Sequence, residues 1–339
     1  MVEVAPQVRR SVAARIRETV RADSKGDYHA LSFRAMSTPV RVAFSCPKPA
    51  VAGDYLRAAA EWVSAFEARY SRFIPESVVG QVNGAAGRGD WVEVDGEADR
   101  LLALCDEMHR LTGGAFDAAS LPLLRAWDWR ADPPRVPDAA ALAEARRLSG
   151  WDKVERRPGA VRLPEAGMGV DLGGIGKEYA VDRLVEMAAE RGIGNVMVDI
   201  GGDLRVSGHG HGKDAWYVGL EEPDRPGDCW ACLRLTDRAV ATSGDYLRSF
   251  TRDGRRYGHV LDPRTGEPVA NGCQAVTVVA PTCVLAGVLS TAAFVLGPVE
   301  GLDLVRRYAG GVGGGGVEAC VTTESARHQT RRFSDHVAM

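Results

Sequence analysis

Three times between residues 170 and 244 a run rich in β-branched residues breaks into a glycine turn beside an acidic residue. The runs are Val170-Asp171-Leu172-Gly173-Gly174, Val198-Asp199-Ile200-Gly201-Gly202 and Ala241-Thr242-Ser243-Gly244-Asp245. Glycine takes left-handed backbone without steric cost and lets main-chain amides approach a ligand closely. Repeated strand–glycine junctions therefore point to a sheet whose strand ends carry tight, backbone-lined loops, and each run is expected to be a strand ending in a turn. The glycine content agrees: 39 of 339 residues, against the usual ~7% of a chain. Between the first two junctions, Lys177 to Arg191 reads as a helix, with Val181, Leu184, Val185 and Ala188 on one face and Gly192 past its end.

The rest of the chain alternates between the two periodicities. Leu31 to Phe44 reads as an opening strand. Asp54 is placed to cap a helix whose apolar residues Leu56, Ala59, Trp62, Val63, Phe66 and Tyr70 follow the helical period. A second helix carries Leu101, Leu102, Cys105, Met108 and Leu111 and stops at Thr112-Gly113-Gly114. A proline-rich connection from Arg130 to Asp138 precedes a short helix ended at Gly150. Asp253-Gly254 between two β-prone runs predicts a hairpin. A strand from Ala275 to Ala280 leads into a helix from Cys283 to Leu296, and Gly310 to Gly316 reads as a linker or loop. Strands, helices and hairpins in this mixture predict an α+β fold.

Composition excludes several functions. The 42 basic and 45 acidic side chains leave a net charge of −3, so the chain lacks the basic stripe of a nucleic-acid binder. Seven cysteines are too few, and odd in number, for a disulfide framework. Cys229-Trp-Ala-Cys232 has metal or redox spacing, but no second pair completes a zinc site. His209-Gly-His211 sits in a glycine-rich polar stretch and reads as a loop. Val8 to Arg21 has no apolar core of a signal segment, and no run approaches the ~20 apolar residues of a membrane span. The expectation is a cytoplasmic protein with no membrane or nucleic-acid partner.

The glycine loops fail two common motif tests. Upstream of Gly176-Lys177 the first glycine of a Walker loop is replaced by Asp171, and Glu178 stands where that loop needs Ser or Thr. The third glycine of a dinucleotide fingerprint would be Tyr179. A glycine turn, a helix start and Lys177 still make an anion site, because free N–H groups, the helix dipole and a cation all favour phosphate; a simple tight turn before a packed helix is the plainer reading. Asp171, Asp199, Asp203 and Asp245 cluster around these turns. Together they suit a hydrated Mg²⁺ or a ribose hydroxyl, while singly each is more often a turn cap. His259 precedes Asp262-Pro263-Arg264-Thr265-Gly266, itself good turn chemistry, and is a candidate acid–base group.

Taken in order, these motifs resemble the ApbE family of FAD:protein FMN transferases. The resemblance runs from Phe33 to Arg306. It rests on Met36-Ser37-Thr38, Ser71 to Ser77 with Asn83, Thr112-Gly113-Gly114-Ala115-Phe116-Asp117, Asp171 to Lys177 with Ala180-Val181-Asp182, and Ile200-Gly201-Gly202-Asp203. Thr242 to Tyr246, His259 to Gly266 and Leu289-Ser290-Thr291-Ala292 complete it.

The resemblance implies an ApbE-like, T-fold-related α+β fold with FAD in a cleft between two subdomains. An N-terminal arm at 1–30 would precede a flavin-binding catalytic domain at 31–309, and 310–339 would hold a glycine-rich loop, a last strand and a tail. It implies breakage of the FAD pyrophosphate with Mg²⁺, and passage of FMN to a Thr or Ser hydroxyl of a cytoplasmic acceptor flavoprotein as AMP leaves. By the same resemblance Met36 borders the adenine end. Asp117, Lys177, Gly201, Gly202, Asp203, Thr242, Ser243, Gly244 and Tyr246 line the cofactor site with His259. His259 takes the acid–base or positioning role, grouped with Asp262, and Gly176, Thr291 and Glu178 are the metal candidates. Three departures stand out: Ala286-Gly287 replaces the usual Ala-Asp with its metal-binding carboxylate, Glu178 replaces a glycine, and Ser37 replaces the glycine of Met-Gly-Thr. They keep open a small-molecule biosynthetic substrate, FAD hydrolysis, or FAD binding without turnover.

Overall fold

The computed structural model describes residues 5–129, 131–246, 249–309 and 316–338. Helix α1 (Pro6–Thr19) leads into strands β1 (Arg21–Lys25), β2 (Tyr28–Ala35) and β3 (Thr38–Ser45). The expected single strand from Leu31 to Phe44 is thus a hairpin: Met36 and Ser37 have φ of 49° and 62° and reverse the chain in a two-residue turn, pairing Ala35 with Thr38. Left-handed backbone at both central residues matches the twist of the flanking strands. Strand β2 also spans the expected boundary at residues 30 and 31, and β1 continues the same sheet.

Helix α2 (Pro49–Tyr70) begins earlier than its expected cap. Proline fits the first turn of a helix, whereas Asp54 lies inside it and pairs with Arg57 and Arg191. A helical lobe follows. It comprises α3 (Val78–Gly84), β4 (Val92–Glu93), α4 (Gly96–Thr112), α5 (Leu121–Trp127), α6 (Ala139–Leu148), β5 (Glu155–Arg157) and β6 (Ala160–Arg162). The Asp95 carboxylate caps α4 at the N–H groups of Glu97 and Ala98, and Gly113 ends it in left-handed backbone, as its sequence predicts. Asp138 caps α6 in the same way.

Then come α7 (Gly176–Ala189), β7 (Asn195–Ile200), β8 (Asp203–Ser207), β9 (Trp216–Glu222), β10 (Arg225–Leu235) and β11 (Arg238–Gly244). The expected hairpin at Asp253-Gly254 is β12 (Ser249–Arg252) with β13 (Arg255–Gly258). The chain ends with β14 (Cys273–Ala280), α8 (Cys283–Leu296), α9 (Pro298–Arg306), β15 (Glu318–Thr323) and β16 (Arg327–Gln329). The expected linker at Gly310 to Gly316 falls almost wholly outside the described residues.

One antiparallel sheet organises the molecule, in the order β1-β2-β3-β7-β8-β11-β14-β15-β16. Side chains alternate across it. Val40, Val42 and Phe44 of β3, Val196, Val198 and Ile200 of β7, and Val276 and Val278 of β14 face a core shared with α2, α7 and α8. Ala43, Val206, Val240 and Val279 face the opposite way, where Trp216, Leu220, Leu233 and Leu235 of the β9–β10 hairpin cover them. With both faces covered, β14 is apolar nearly throughout rather than alternating. A second core fills the helical lobe, and Met36, Trp62 and Leu111 pack against both cores.

None of the seven cysteines is in a disulfide. Among the described residues no helix is long and apolar enough to cross a membrane. His209 and His211 lie in a loop, as expected, with His211 beside Asp27 and Ser45.

Candidate functional site

The glycine junctions converge at the head of α7. The first is not the expected strand. The Val170 N–H donates to Asn83 Oδ1 and its carbonyl accepts from Asn83 Nδ2, while the Asp171 N–H donates to the Ala118 carbonyl. Because these backbone groups are satisfied by a side chain and a loop, the segment joins no sheet. Asp171 accepts from the Gly173 N–H at 3.0 Å and pairs with Arg72 at 3.1 Å. This turn delivers the chain into α7, whose first residue, Gly176, is buried.

The second junction is the β7–β8 turn. Gly201 has φ of 69°, and a Cβ there would meet Thr38 Oγ1 at 2.3 Å, so the close approach of the Met36–Thr38 turn requires glycine. Asp199 accepts from the Gly202 N–H at 2.8 Å, and burial raises its carboxyl above the usual range. Asp203 opens β8 directly after this turn. Its Oδ2 lies 2.5 Å from Lys177 Nζ, which is also 3.0 Å from Glu178 Oε1. Burial disfavours the Lys177 charge, but the two carboxylates outweigh it and hold the ammonium above the ordinary lysine range. Glu178 is 4% exposed. Burial pushes its carboxyl up to about 7 against the pull of Lys177.

The third junction, at the end of β11, closes the same pocket through α8. Ser243 Oγ is 2.8 Å from Ser290 Oγ and 3.0 Å from Thr291 Oγ1, and the Ser290 hydroxyl donates to the Gly287 carbonyl at 2.9 Å. Thr242 on the neighbouring position is exposed and shares a hydroxyl contact of 2.9 Å with Thr277 of β14. Asp182 sets the angle of α8. Its carboxylate accepts from the N–H groups of Cys283 (2.8 Å) and Val284 (3.0 Å) and pairs with Arg205. Two anionic oxygens at a helix N-terminus satisfy orphan donors and complement the dipole.

Next to this pocket lies a corner carrying His259. Asp245 is buried, accepts from Arg256 Nη1 at 2.7 Å, and fills the space beside Gly258, where a Cβ would stand 2.2 Å from Asp245 Oδ2. His259 follows at once and is half-buried. The hairpin also stacks Phe250 and Tyr257 at 5.2 Å, with Phe250 4.9 Å from Trp129 and Tyr257 5.6 Å from Trp127. On the other side, Tyr246 donates to Glu221 of β9 at 3.1 Å. Burial and that carboxylate push its phenol up to about 12.

The structure therefore brings together Lys177, Glu178, Asp203, Ser243, Thr291 and Gly287, with Gly201 and Gly202 at the rim and Asp245 leading to His259. Gly173, Gly174, Gly201 and Gly202 are exposed above buried polar side chains, an arrangement suited to a ligand held by backbone amides.

Other expectations are corrected. Asp262 is occupied by its own turn: its carboxylate receives the Arg264 N–H and guanidinium at 2.8–2.9 Å. Asp117 accepts from the N–H groups of Ala119 and Trp151 inside the helical lobe, with His109 at 3.5 Å, so its carboxylate also shapes this loop. The four junction aspartates do not share one site. Asp171 and Asp199 cap turns and Asp245 pairs with Arg256, leaving Asp203 in the pocket; among the described residues no three His, Cys, Asp or Glu side chains are grouped to hold a metal. What sequence reading missed is Ser290, Asp182 and Arg256 as the residues that tie the pocket together. Ser290 and Asp182 lay inside quoted motifs, but their partners are 47 and 101 residues away, and no local pattern marks such pairs.

Glu178 Oε2 is buried without a hydrogen-bond partner, and besides the Lys177 ammonium the polar groups gathered at the head of α7 and on the facing turn of α8 are carboxylate, hydroxyl and carbonyl oxygens. Hard cations such as Mg²⁺ take such ligands, so the residues present fit one.

A family model described as the ApbE family matches residues 36–314. Among curated relatives, the FAD:protein FMN transferase of Haemophilus influenzae is 30% identical over 250 residues, covering 71% of this chain and 72% of its own. That of Treponema pallidum is 33% identical, covering 69% of each. A crystal structure of the ApbE protein of Thermotoga maritima superposes with a TM-score of 0.82 at 32% identity, over 92% of this chain and all of that one. The flavin transferase ApbE of Vibrio cholerae gives 0.80 at 25% identity, over 93% and 100%. The α+β architecture is the one these solved structures share.

Proposed function

The chain belongs to the ApbE family and is a transferase, and from that premise we propose that it moves FMN from FAD to a Thr or Ser hydroxyl of an acceptor protein. The observation that carries this reading is the convergence of three glycine junctions on Lys177, Asp203 and Glu178, beside the Ser243–Thr291 hydroxyl pair and the corner holding His259.

The pyrophosphate of FAD would lie over the exposed glycine turns, with its negative charge met by Lys177, the backbone amides and the dipole of α7. The acceptor oxygen attacks the phosphorus on the FMN side. A new phosphoester bond forms there, the bond to the bridging oxygen breaks, and that oxygen leaves with AMP. The hydroxyl proton must depart during attack, and His259 is the residue assigned to accept it or to orient the hydroxyl. Met36, at the turn beside Gly201 and between the two cores, is assigned to the adenine end. Gly176, Glu178 and Thr291 are the residues that would hold a divalent cation. Such a cation, when bound, neutralises charge on the transferring phosphoryl group.

The test is incubation with FAD and Mg²⁺, with and without a Thr-bearing acceptor protein, followed by chromatography for FMN and AMP and mass spectrometry of the acceptor. AMP released in step with a flavinylated acceptor is the expected result, and His259→Asn should abolish it. FMN and AMP without an acceptor adduct would make the protein an FAD hydrolase. FAD left intact with every acceptor tried would defeat the reading.

A further inference from the structure

The pocket at the head of α7 holds two carboxylates, Glu178 and Asp203, against one ammonium, Lys177. Their charges sum to −1 with both acids ionised. One Glu178 oxygen receives Lys177, while the other is buried and has no hydrogen-bond partner. Buried polar atoms are nearly always satisfied, and an unsatisfied one calls for a missing donor or cation.

The space around that carboxylate has a second peculiarity. Gly287 is the only glycine within α8, a helix otherwise rich in Ala, Val and Leu, and glycine is the poorest helix former after proline. A Cβ at this position would stand 2.5 Å from Glu178 Cγ and 3.1 Å from its Cδ and Oε1. Any side chain at 287 would thus collide with the Glu178 side chain where it now lies. One helical turn on, Thr291 presents its hydroxyl to Ser243, and the intervening Ser290 donates to the Gly287 carbonyl. Thr291 thus stands one turn along from Gly287, on the face of α8 against which the Glu178 side chain packs.

We propose that Glu178 supplies the charged ligand of a divalent-cation site shared with Thr291, and that Gly287 is its obligate partner, because the carboxylate enters from α7 into space that a side chain on α8 would fill. The two departures at 178 and 287 are then a single exchange: a carboxylate on α8 has been traded for one on α7. The donor chemistry selects a hard cation, Mg²⁺ or Mn²⁺. The inference deepens the functional reading above, on which it rests only for what the cation does.

The experiment is a Mn²⁺ titration of the full-length protein, with and without FAD, following free Mn²⁺ by electron paramagnetic resonance and thermal stability in parallel. Native protein should bind one Mn²⁺ and gain thermal stability from it. Glu178→Gln should weaken binding by at least about tenfold, the scale on which metal sites respond to lost partners. Gly287→Asp alone should lower the metal-free melting temperature without strengthening binding, since its side chain meets Glu178. The double exchange Glu178→Gly with Gly287→Asp should recover both binding and melting temperature. Native protein that binds no Mn²⁺ in either condition overturns the proposal. So does Glu178→Gln binding as tightly as native protein, or Gly287→Asp alone strengthening binding with no loss of stability. Should Glu178→Gln not fold, Gly287→Ala decides, because a methyl that displaces the Glu178 carboxylate should weaken Mn²⁺ binding, and binding at native strength defeats the proposal. Glu178-dependent Mn²⁺ binding without FAD cleavage would defeat the proposed function alone, and FAD cleavage with Mn²⁺ binding indifferent to Glu178 would defeat this inference alone.

Discussion

The head of α7 and the β12–β13 corner carry the two halves of the candidate site, and they are held in contrasting ways. At the head of α7 the polar groups are built into the main core. Lys177 bridges its own helix to β8, Asp182 binds α7 to the start of α8, and Ser290 ties α8 to β11. The corner is a hairpin of two four-residue strands, largely exposed. It is held by the Arg256–Asp245 pair and by the stacked Phe250 and Tyr257, whose rings meet Trp129 edge-on and Trp127 at a tilt. The half assigned to the pyrophosphate is thus continuous with the fold, and the half assigned to proton transfer is fastened to it by a few side chains. Charge stabilisation depends on donors that do not reorganise, whereas a catalytic group that must meet a protein's hydroxyl gains from a separate support.

The contrast is sharpest for Lys177. Lys177→Met removes the ammonium from between Glu178 and Asp203 and leaves two acids in one pocket. Breaking a buried pair by removing one partner costs ~3–5 kcal/mol, and urea unfolding should register a loss of that size. A loss below ~1 kcal/mol, the range of ordinary surface substitutions, would show that water reaches the pocket and that the two halves are not distinct. Asp182→Ala tests the same half through its cap. It strips two N–H groups of α8 of their acceptor and leaves Arg205 unpaired, for an expected ~2 kcal/mol, the upper end of capping effects.

Arg256→Ala tests the corner, and its signature is inverted. The guanidinium is half-exposed, so the global cost should be about 1 kcal/mol. AMP release from FAD should nevertheless fall by about a hundredfold, the scale of a misplacement of ~1 Å at a reacting group. A stability loss matching that of Lys177→Met would mean that the hairpin belongs to the same cooperative core, and the comparison would fail.

The sequence showed the first half better than the second for a physical reason. Glycine turns, helix periods and caps are local, so α4, α7, α8 and the Asp253-Gly254 hairpin were readable within a few residues of each signal. Lys177 and Asp203 were legible because both stand at glycine junctions. The exceptions were also local features overruled from a distance. Val170 to Leu172 has strand composition, yet Asn83, 87 residues earlier, takes its backbone groups. Leu31 to Phe44 looked like one strand because Met36 and Ser37 lack turn composition, although both adopt left-handed backbone. Asp262 and Asp117 looked functional by motif, and only the structure shows that their oxygens also accept from N–H groups nearby. The aromatic support of the corner left no signal, since Trp129 and Phe250 are far apart in the chain and meet only once the lobe has folded.

The smallest effect tests how the corner is tied to the opposite face of the sheet. Tyr246 reaches across to Glu221, and burial, reinforced by that carboxylate, lifts its phenol from 10.0 to about 12. Between those values the unfolded chain has released this proton while the folded chain still holds it. The unfolded state then binds fewer protons, so stability falls as pH rises from 10.0 toward 12. Tyr246→Phe removes that component. The stability difference between native protein and variant should be constant below pH 10.0 and shrink above it, by less than about 1 kcal/mol because the group is only half-buried. The raised phenols of Tyr55 and Tyr70 are common to both proteins and cancel. A difference that stays flat across this range would mean that the Tyr246–Glu221 contact does not persist in solution. Arg256 would then carry more of the support of the His259 corner, and Arg256→Ala should cost more activity than predicted above.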